Sequence, residues 1–409
     1  MSADILHRID SRLRSITCKY LQPFGGLDVI LCGDLRQLPP VRAAEVFKRV
    51  KTDDVFNTTE IAWHHLAYFA LIKVVRQNNL RFSTLLSKIG DGVELDPEEI
   101  SLIESRFVPQ QEAEASCPGG IRLFYSNKES DYYNTTKAIV AQDNAVPCTA
   151  QDTIVGCRSM QEQTEAMRKV ETLPKAEIGN LPANIMLCIG KPYMITLNVD
   201  VSDGLVNGSV GTLKFIENDT HGKPLRIWLQ FGELGSKLAI GTVAAAKSHH
   251  LRKLNRNIQP NWIPIERRTV TCVIDKKTKV SVRRCQLPVV QASAITIHKS
   301  QGGTYDEVVY SYAKNHPQKL VYVALSRATD INGLYLTNVD NDFTFYHGKA
   351  NPDRKLADEF RRLQSHKLDT ITAKCLAMTE QPHYLLISAL NVKQQGVDKI
   401  VGQRAEYAP

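Results

Sequence analysis

GGLDVILCGDLRQLPPV, residues 25 to 41, is the stretch whose reading decides the fold class. Val29, Ile30, Leu31 and Cys32 form a short, unbroken apolar run between glycines, the pattern of a buried strand in a parallel sheet. Asp34 then stands at the carboxyl end of that strand with Gln37 just beyond, and open parallel sheets bind ligands at that end. A glutamine side chain there can donate to a phosphoryl oxygen and accept from an attacking water, while Pro39 and Pro40 stiffen the turn that aims it. The plainer alternative is a strand, a turn and a proline-stiffened exit.

Upstream, MSADILHRIDSRLRSI places Ile5, Leu6, Ile9 and Leu13 on one stripe, predicting an amphipathic helix over Ser2 to Ile16 that packs on the sheet. Downstream, helical patterning covers Ala62 to Leu71, Phe82 to Ile89 and Pro97 to Glu104, and Ile121 to Tyr125 reads as a strand opening a loop at Ser126 and Asn127. Between Met194 and about Gln286 the texture changes to short alternating strands with turns at Asn207-Gly208, His221-Gly222 and Asp275-Lys276, a small β domain inserted in an α/β one. Strands return at Ala292 to Ile297, Glu307 to Tyr312 and Leu334 to Thr337, with a helix beginning near Lys319.

A length of 409 residues suits two to three domains and excludes a disulfide miniprotein. Nine cysteines form no CxxC pair and the histidines supply no HxxxH, so no structural zinc is expected. The longest apolar runs, such as YLLISAL at 384 to 390, are too short to span a membrane as a helix. The net charge is only +8, but residues 247 to 286 hold eleven basic side chains against two acidic ones, leaving the rest near neutral. Such concentration fits a phosphate-backbone binder or a solvated face.

Two further strings carry chemistry. ASAITIHKSQGGTYDEV, residues 292 to 308, breaks from an apolar strand into His298-Lys299-Ser300-Gln301-Gly302. A helix starting there would aim free N–H groups and the Lys299 charge at a phosphate, the alternative being a Ser-capped helix with a solvated lysine. LVYVALSRATD, residues 320 to 330, sets Arg327 on an apolar helix from which a guanidinium could reach a phosphoryl group, and Arg76 is a second arginine of that type. The alternative for each is an ion pair.

In this order, GDLRQLPPV, VVRQ, IRLFYSN, DGLVNGSVG, QLPVVQASAITIHKSQG and YVALSRAT resemble the Pif-type (petite integration frequency) DNA helicases of superfamily one, including the arthropod and Helitron-transposon branch, over about Met1 to Asn338. The tail FYHGKANPDRKLADEFRRLQSHKLD is similar to that of transposon-associated members. The resemblance implies an α/β fold of two RecA-like P-loop NTPase-type parallel sheets, the first incomplete, with a small inserted β-barrel domain. It assigns residues 1–75 to the second half of the first RecA-like domain, 76–193 and 286–340 to the second, 194–285 to the inserted basic domain and 341–409 to a helical extension.

By the same resemblance the protein is an ATP-dependent, 5′-to-3′ DNA helicase of the nucleus, with mitochondria as the alternative, serving repair, recombination and telomere maintenance. ATP is the cofactor, with Mg2+ in the full-length parent, and the partners are single-stranded DNA and DNA junctions, bound as a monomer without membrane attachment. Gly33, Asp34, Gln37, Gln301, Gly302 and Arg327 would bind nucleotide, and Gln37, Arg76 and Arg327 would act in its turnover. Asn127, His298, Lys299 and Ser300 would line the single-strand track, with Lys276, Lys277, Arg283 and Arg284 beside it.

The sequence departs from the family in one respect. It contains no Gly-Lys-Ser/Thr, since Gly190-Lys191 and Gly222-Lys223 are followed by Pro and Gly348-Lys349 by Ala, and no Asp-Glu pair follows an apolar strand. Met1 matches the methionine that closes the family's magnesium-binding motif, so the resemblance describes a truncated chain with an uncovered sheet edge, a known aggregation liability. The alternative function is a catalytically dead, helicase-derived protein that binds single-stranded DNA. A RecD-like subunit shares the last two motifs but fits QLPPV and GLVNG less well. If the basic cluster meets DNA, replacing Lys276, Lys277, Arg283 or Arg284 singly weakens single-strand binding and flattens its salt dependence; unchanged affinity and slope would mark a solvated face.

Overall fold

The computed structural model describes residues 1–49, 61–71, 74–137, 145–232, 240–252, 257–275, 278–368 and 384–389. They fall into two compact units, Met1–Gly120 with Ser300–Pro409, and Ile121–Lys299. Lys276 and Lys277 lie outside the described residues. In chain order the first unit holds α1 (Ala3–Thr17), β1 (Val29–Gly33), β2 (Ala67–Leu71), α2 (Leu80–Asp91), α3 (Pro97–Glu104) and α4 (Gln110–Ser116). The second holds β3 (Ile121–Phe124), α5 (Asn127–Tyr132), β4 (Val146–Thr149), β5 (Gln151–Val155), α6 (Met160–Thr172), β6 (Asn184–Leu187), β7 (Pro192–Ile195), β8 (Val210–Asn218) and β9 (Pro224–Phe231). It continues through α7 (Thr242–Lys247), β10 (Ile263–Glu266), β11 (Arg268–Val273), β12 (Ser281–Gln286), β13 (Val289–Gln291) and β14 (Ala294–Thr296). The first unit resumes with β15 (Val308–Ser311), α8 (Gln318–Leu325), β16 (Leu334–Thr337), α9 (Arg354–Ser365) and β17 (Tyr384–Ala389).

In the first unit, Ser2 caps α1 by accepting from the Ile5 N–H at 3.3 Å. Asp10 points inward from that helix and accepts from the Phe24 N–H at 2.5 Å and from Arg14 Nε at 2.9 Å, fixing the Pro-Phe-Gly-Gly turn that enters β1. A Cβ on Gly25 would sit 2.6 Å from the Leu13 carbonyl oxygen, so this close approach of turn to helix requires glycine. Leu6, Phe24, Trp63, Leu66, Tyr68 and Leu363 build the core beside the sheet, and the buried Trp63 indole donates to Glu359 of α9 at 2.7 Å.

That sheet has the order β1-β17-β2, with all neighbours parallel. Three expectations change here. Ala62 to Leu71 is a single 3-10 turn followed by β2 rather than a helix, because the backbone of Tyr68 bonds sideways to His366 and Leu368. Short apolar runs carry no period that separates the two. The β1 strand is half-buried, with Val29 and Leu31 packed on the core while Ile30 and Cys32 face outward. An uncovered sheet edge was expected, but one edge of β1 carries β17.

The second unit combines a parallel pair, β3 with β14, and an antiparallel sheet of order β10-β9-β8-β7-β13. Tyr193, Ile195, Leu213, Ile227, Leu229 and Ile263 fill the core of that sheet. Among the described residues it ends at β10 and β13 and does not close into the expected barrel; these end strands, four and three residues long, offer too short a ladder to close the ring. A third sheet, β11-β12-β5, packs one face against α6.

The expected basic patch is divided by this third sheet and its surroundings. Arg284 is buried and forms a bidentate pair with Asp152 at 2.8 and 2.6 Å, with a further bond to the Leu181 carbonyl. Arg267 donates to the carbonyls of Pro224 and Thr149 and to Cys148 Sγ, and Arg252 to the carbonyls of Ala245 and Trp262. These cations tie segments together, Arg284 because strand alternation turns it inward; Lys247, Arg268, Lys279 and Arg283 remain exposed. Removing one partner of a buried pair strands the other charge. Arg284→Ala is therefore expected to lower unfolding free energy by about 3 kcal/mol or more, whereas Arg283→Ala stays within about 0.5 kcal/mol; urea unfolding of both variants measures the difference.

Candidate functional site

The apolar strand β1 delivers Asp34 to a tight turn in which the Gln37 N–H donates to the Asp34 carbonyl at 3.2 Å. The Asp34 carboxylate accepts from the Arg36 N–H at 2.9 Å, from Gln37 Nε2 at 3.4 Å and from the Tyr322 hydroxyl at 3.2 Å. Burial pushes its pKa up, and the Arg36 N–H and charge, Tyr322 and Gln37 only partly oppose that. Gln37 Oε1 in turn accepts from Gln301 Nε2 at 3.0 Å. A hydrogen-bonded line thus runs Gln301, Gln37, Asp34, Tyr322, joining three segments far apart in sequence.

Two arginines stand beside this line. Arg327 is fully buried just past the end of α8, beyond the helix on which it was expected. Its Nε donates to the Val323 carbonyl at 2.9 Å, Nη1 to the Gly303 and Ser300 carbonyls at 3.1 and 3.5 Å, and Nη2 to the Ser326 hydroxyl at 2.8 Å. Each of those acceptors is a neutral oxygen. Burial first, and then the Arg76 charge, push the Arg327 pKa down to about 10. Arg76 donates to Thr304 Oγ1 at 3.0 Å and to the Ser326 carbonyl at 3.1 Å, and the neighbouring Gln77 holds the Ser326 and Ala328 carbonyls. Burial lowers the Arg76 pKa too.

Asp34, Gln37, Arg76, Gln301 and Arg327, five residues singled out from sequence, therefore share one neighbourhood in the first unit. Gly33 ends β1, and Gly302 holds a turn at φ +90°. Sequence reasoning missed Tyr322, whose phenol is buried at the centre of the site, and the Arg36–Asp91 pair, bidentate at 2.5 and 3.1 Å. The available signal was Gly90 inside α2: a Cβ there would meet the Tyr322 ring at 3.1 Å and Arg36 Cδ at 3.2 Å. A cavity of about 150 Å3 opens beside Asp34 and Gln37, with Leu38, Pro39 and Trp63 in its wall.

Residues 297 to 302 form turns rather than the start of a helix, so the helix N-terminus expected for phosphate binding is not there; the chain instead tightens through the Gly303 N–H to Ser300 carbonyl bond. Ser300 is fully buried and lines no open surface, contrary to its expected place on a DNA track. In the second unit β3 and β14 end side by side, the Ile297 N–H donating to the Phe124 carbonyl, which brings exposed Asn127, His298 and Lys299 out at the same carboxyl edge. Asn127 opens α5 behind a Ser126 capping box rather than lying in a loop. Partial burial, and then Lys175, lower the Lys299 pKa.

Among the described residues no three His, Cys, Asp or Glu side chains converge to hold a metal ion. Asp34 stands as a single half-buried carboxylate already engaged by Arg36, Gln37 and Tyr322, a donor set that does not fit Mg2+. Because the Asp34 pKa is raised by folding, ionising it costs stability as pH rises from the ordinary carboxylate range through the raised value. Asp34→Asn is therefore expected to raise the urea midpoint at pH 7, with the gain shrinking as pH falls; a lower midpoint at pH 7 would contradict the buried-carboxylate account.

Comparisons with known proteins bear on the fold and its relatives. Residues 1–99 match the family described as PIF1-like helicase, and residues 291–334 match the UvrD-like helicase C-terminal domain. The ATP-dependent DNA helicase PIF1 of Candida albicans is 25% identical over 413 residues, covering 85% of this chain and 43% of that protein. The human protein of the same name is 26% identical, covering 83% and 45%. The chain thus spans less than half the length of these relatives. The crystal structure of the Candida albicans Pif1 helicase matches 89% of the chain and 74% of its own with TM-score 0.63 and 23% identity. Bacteroides Pif1 bound to ssDNA matches with TM-score 0.61 and 21% identity. The first 99 residues and residues 291–334 are thus similar to two helicase families, and the fold as a whole is similar to that of Pif1 helicases.

Proposed function

We propose that the chain is the motor portion of an ATP-dependent DNA helicase, moving 5′ to 3′ on single-stranded DNA in the nucleus. The observation that carries this reading is Arg327: a fully buried guanidinium whose hydrogen-bond acceptors are all neutral oxygens, next to a second partly desolvated arginine. A cation removed from water without a bonded carboxylate is a ready partner for an anion, and a phosphoryl oxygen is the anion that two adjacent guanidinium groups match best. In this reading Arg327 exchanges carbonyl partners for phosphate, and the freed Ser300 and Gly303 carbonyls relax the turn after Lys299. The Gln301–Gln37–Asp34 line then carries the change to the end of β1.

The DNA side rests on Asn127, His298 and Lys299 at the carboxyl edge of β3 and β14, and on Arg283, which is exposed on β12. Relatives named ATP-dependent DNA helicase and a fold relative bound to ssDNA support the same assignment. ATP is the cofactor of this reading. The 409 residues contain no Gly-Lys-Ser/Thr to cradle its phosphates, so no hydrolytic step is assigned to these residues alone.

The second reading, a helicase-derived single-strand binder, is favoured by that same missing motif. Turnover separates the two. This polypeptide is expected to bind single-stranded DNA yet show no DNA-stimulated ATPase; turnover that Arg327→Ala abolishes would overturn the expectation. Lys299→Ala and Arg283→Ala should each weaken DNA binding and reduce the salt slope by about one unit, while absence of any DNA affinity in the parent chain would end both readings.

A further inference from the structure

The strand between β1 and β2 comes from the far end of the chain. Val29 to Gly33 are in register with Tyr384 to Ser388, and Ala67 to Leu71 with Leu385 to Ala389, both parallel. The two flanking strands do not pair with each other, so this sheet exists only through β17. The segment after α9 also holds the opposite edge of β2, where the Tyr68 N–H donates to the His366 carbonyl at 3.1 Å and the Leu368 N–H to the Tyr68 carbonyl at 2.7 Å. Residues on a strand present their hydrogen-bonding groups alternately to either side, so Tyr68 serves one edge while Ala67 and Phe69 serve the other. The C-terminal segment therefore lies on both edges of β2.

We propose that Tyr384–Ala389 is an internal donor strand: the slot between β1 and β2 is a strand-binding groove whose occupant is the chain's own C-terminal segment, and that occupant sets the site at Asp34. The register gives the second half of the proposal. Ser388 lies opposite Gly33, so the strand ends where Asp34 begins, and its pairing holds β1 up to the residue that launches the Asp34 turn. The sequence that follows, LNVKQQG, has no phosphate-binding pattern, which marks β17 as a structural occupant of the slot. Main-chain pairing of this kind is the same bonding by which sheets accept added strands from partners, so a strand from elsewhere would have to displace it.

The register supplies the experiment. Cys32 is opposite Ile387, and neighbouring strands lie within disulfide reach. In full-length Ile387→Cys protein, mild oxidation is expected to yield an intramolecular disulfide between Cys32 and the thiol introduced at position 387, identified by peptide mass mapping. Failure to form it, or its formation only between two copies, overturns the assignment to the chain's own tail. Hydrogen exchange provides the second measurement. Removing 369–409 should cost the amides of Val29–Gly33 and Ala67–Leu71 roughly tenfold or more in protection, and removing 390–409 should leave them protected. Unchanged protection in the longer deletion overturns the proposal; if that deletion fails to fold, the cross-link in the full chain still decides it.

Discussion

A carboxylate withdrawn from water at the end of a strand is the constraint on which the first unit depends. Asp34 keeps its place only because backbone, amide and phenol donors reach it together. Each donor belongs to a different local structure: the Asp34 turn itself, the Gln37 arm that also meets Gln301, and the α8 helix through Tyr322. Losing any of them leaves a buried acceptor short of partners, a cost larger than the net worth of the bond. The helix α2 accommodates this arrangement at a residue that helices otherwise disfavour, Gly90, since a side chain there would collide with Tyr322 and Arg36. Position by position, the site dictates the packing around it.

Arginine plays two opposite parts in the molecule. In the second unit, Arg284 meets a carboxylate squarely, and Arg267 and Arg252 knit carbonyls of separate segments. Their charge is spent on structure. In the first unit, Arg36 is likewise neutralised by Asp91 and rests over the Phe360 ring at 5.0 Å. Arg327, like Arg252 and Arg267, has neutral acceptors, but it is fully buried and has the Arg76 charge beside it, so burial and a second cation both work against its charge. The distinction between a structural arginine and one prepared for an anion thus lies in full burial beside a second cation without a bonded carboxylate, and net charge along the sequence is blind to it.

This explains what the sequence could and could not disclose. Elements with a strong period and a cap were legible: α3 begins at Pro97 behind the Asp96 and Glu99 capping box, and β16 covers the residues its apolar pattern marked. Four polar residues of the site, Asp34, Gln37, Arg76 and Gln301, were singled out because each follows an apolar run of the kind that ends a sheet strand, and Arg327 because it follows an apolar helix. The segment Ala62 to Leu71 was not, since its identity as strand is settled by partners at His366 and Leu385, hundreds of residues away. Tyr322 was not, because within an apolar helix a tyrosine reads as core, and only the fold shows that its hydroxyl finds Asp34. Arg283 and Arg284 are adjacent in sequence, yet the two-residue period of β12 sends one to solvent and the other to Asp152.

The same logic of distant partners makes the first sheet unusual in how it is held. A parallel pair needs a crossover, so every parallel neighbour is a long-range contact whose loop closure opposes it. Here the central strand is the last of the described ones, and β1 and β2 must wait for it before they join in one sheet. Asp34 can be desolvated only once β1 is fixed, because its turn begins at Gly33, the residue opposite Ser388. Formation of the site and docking of the C-terminal strand are therefore linked equilibria, and stabilising either one stabilises the other.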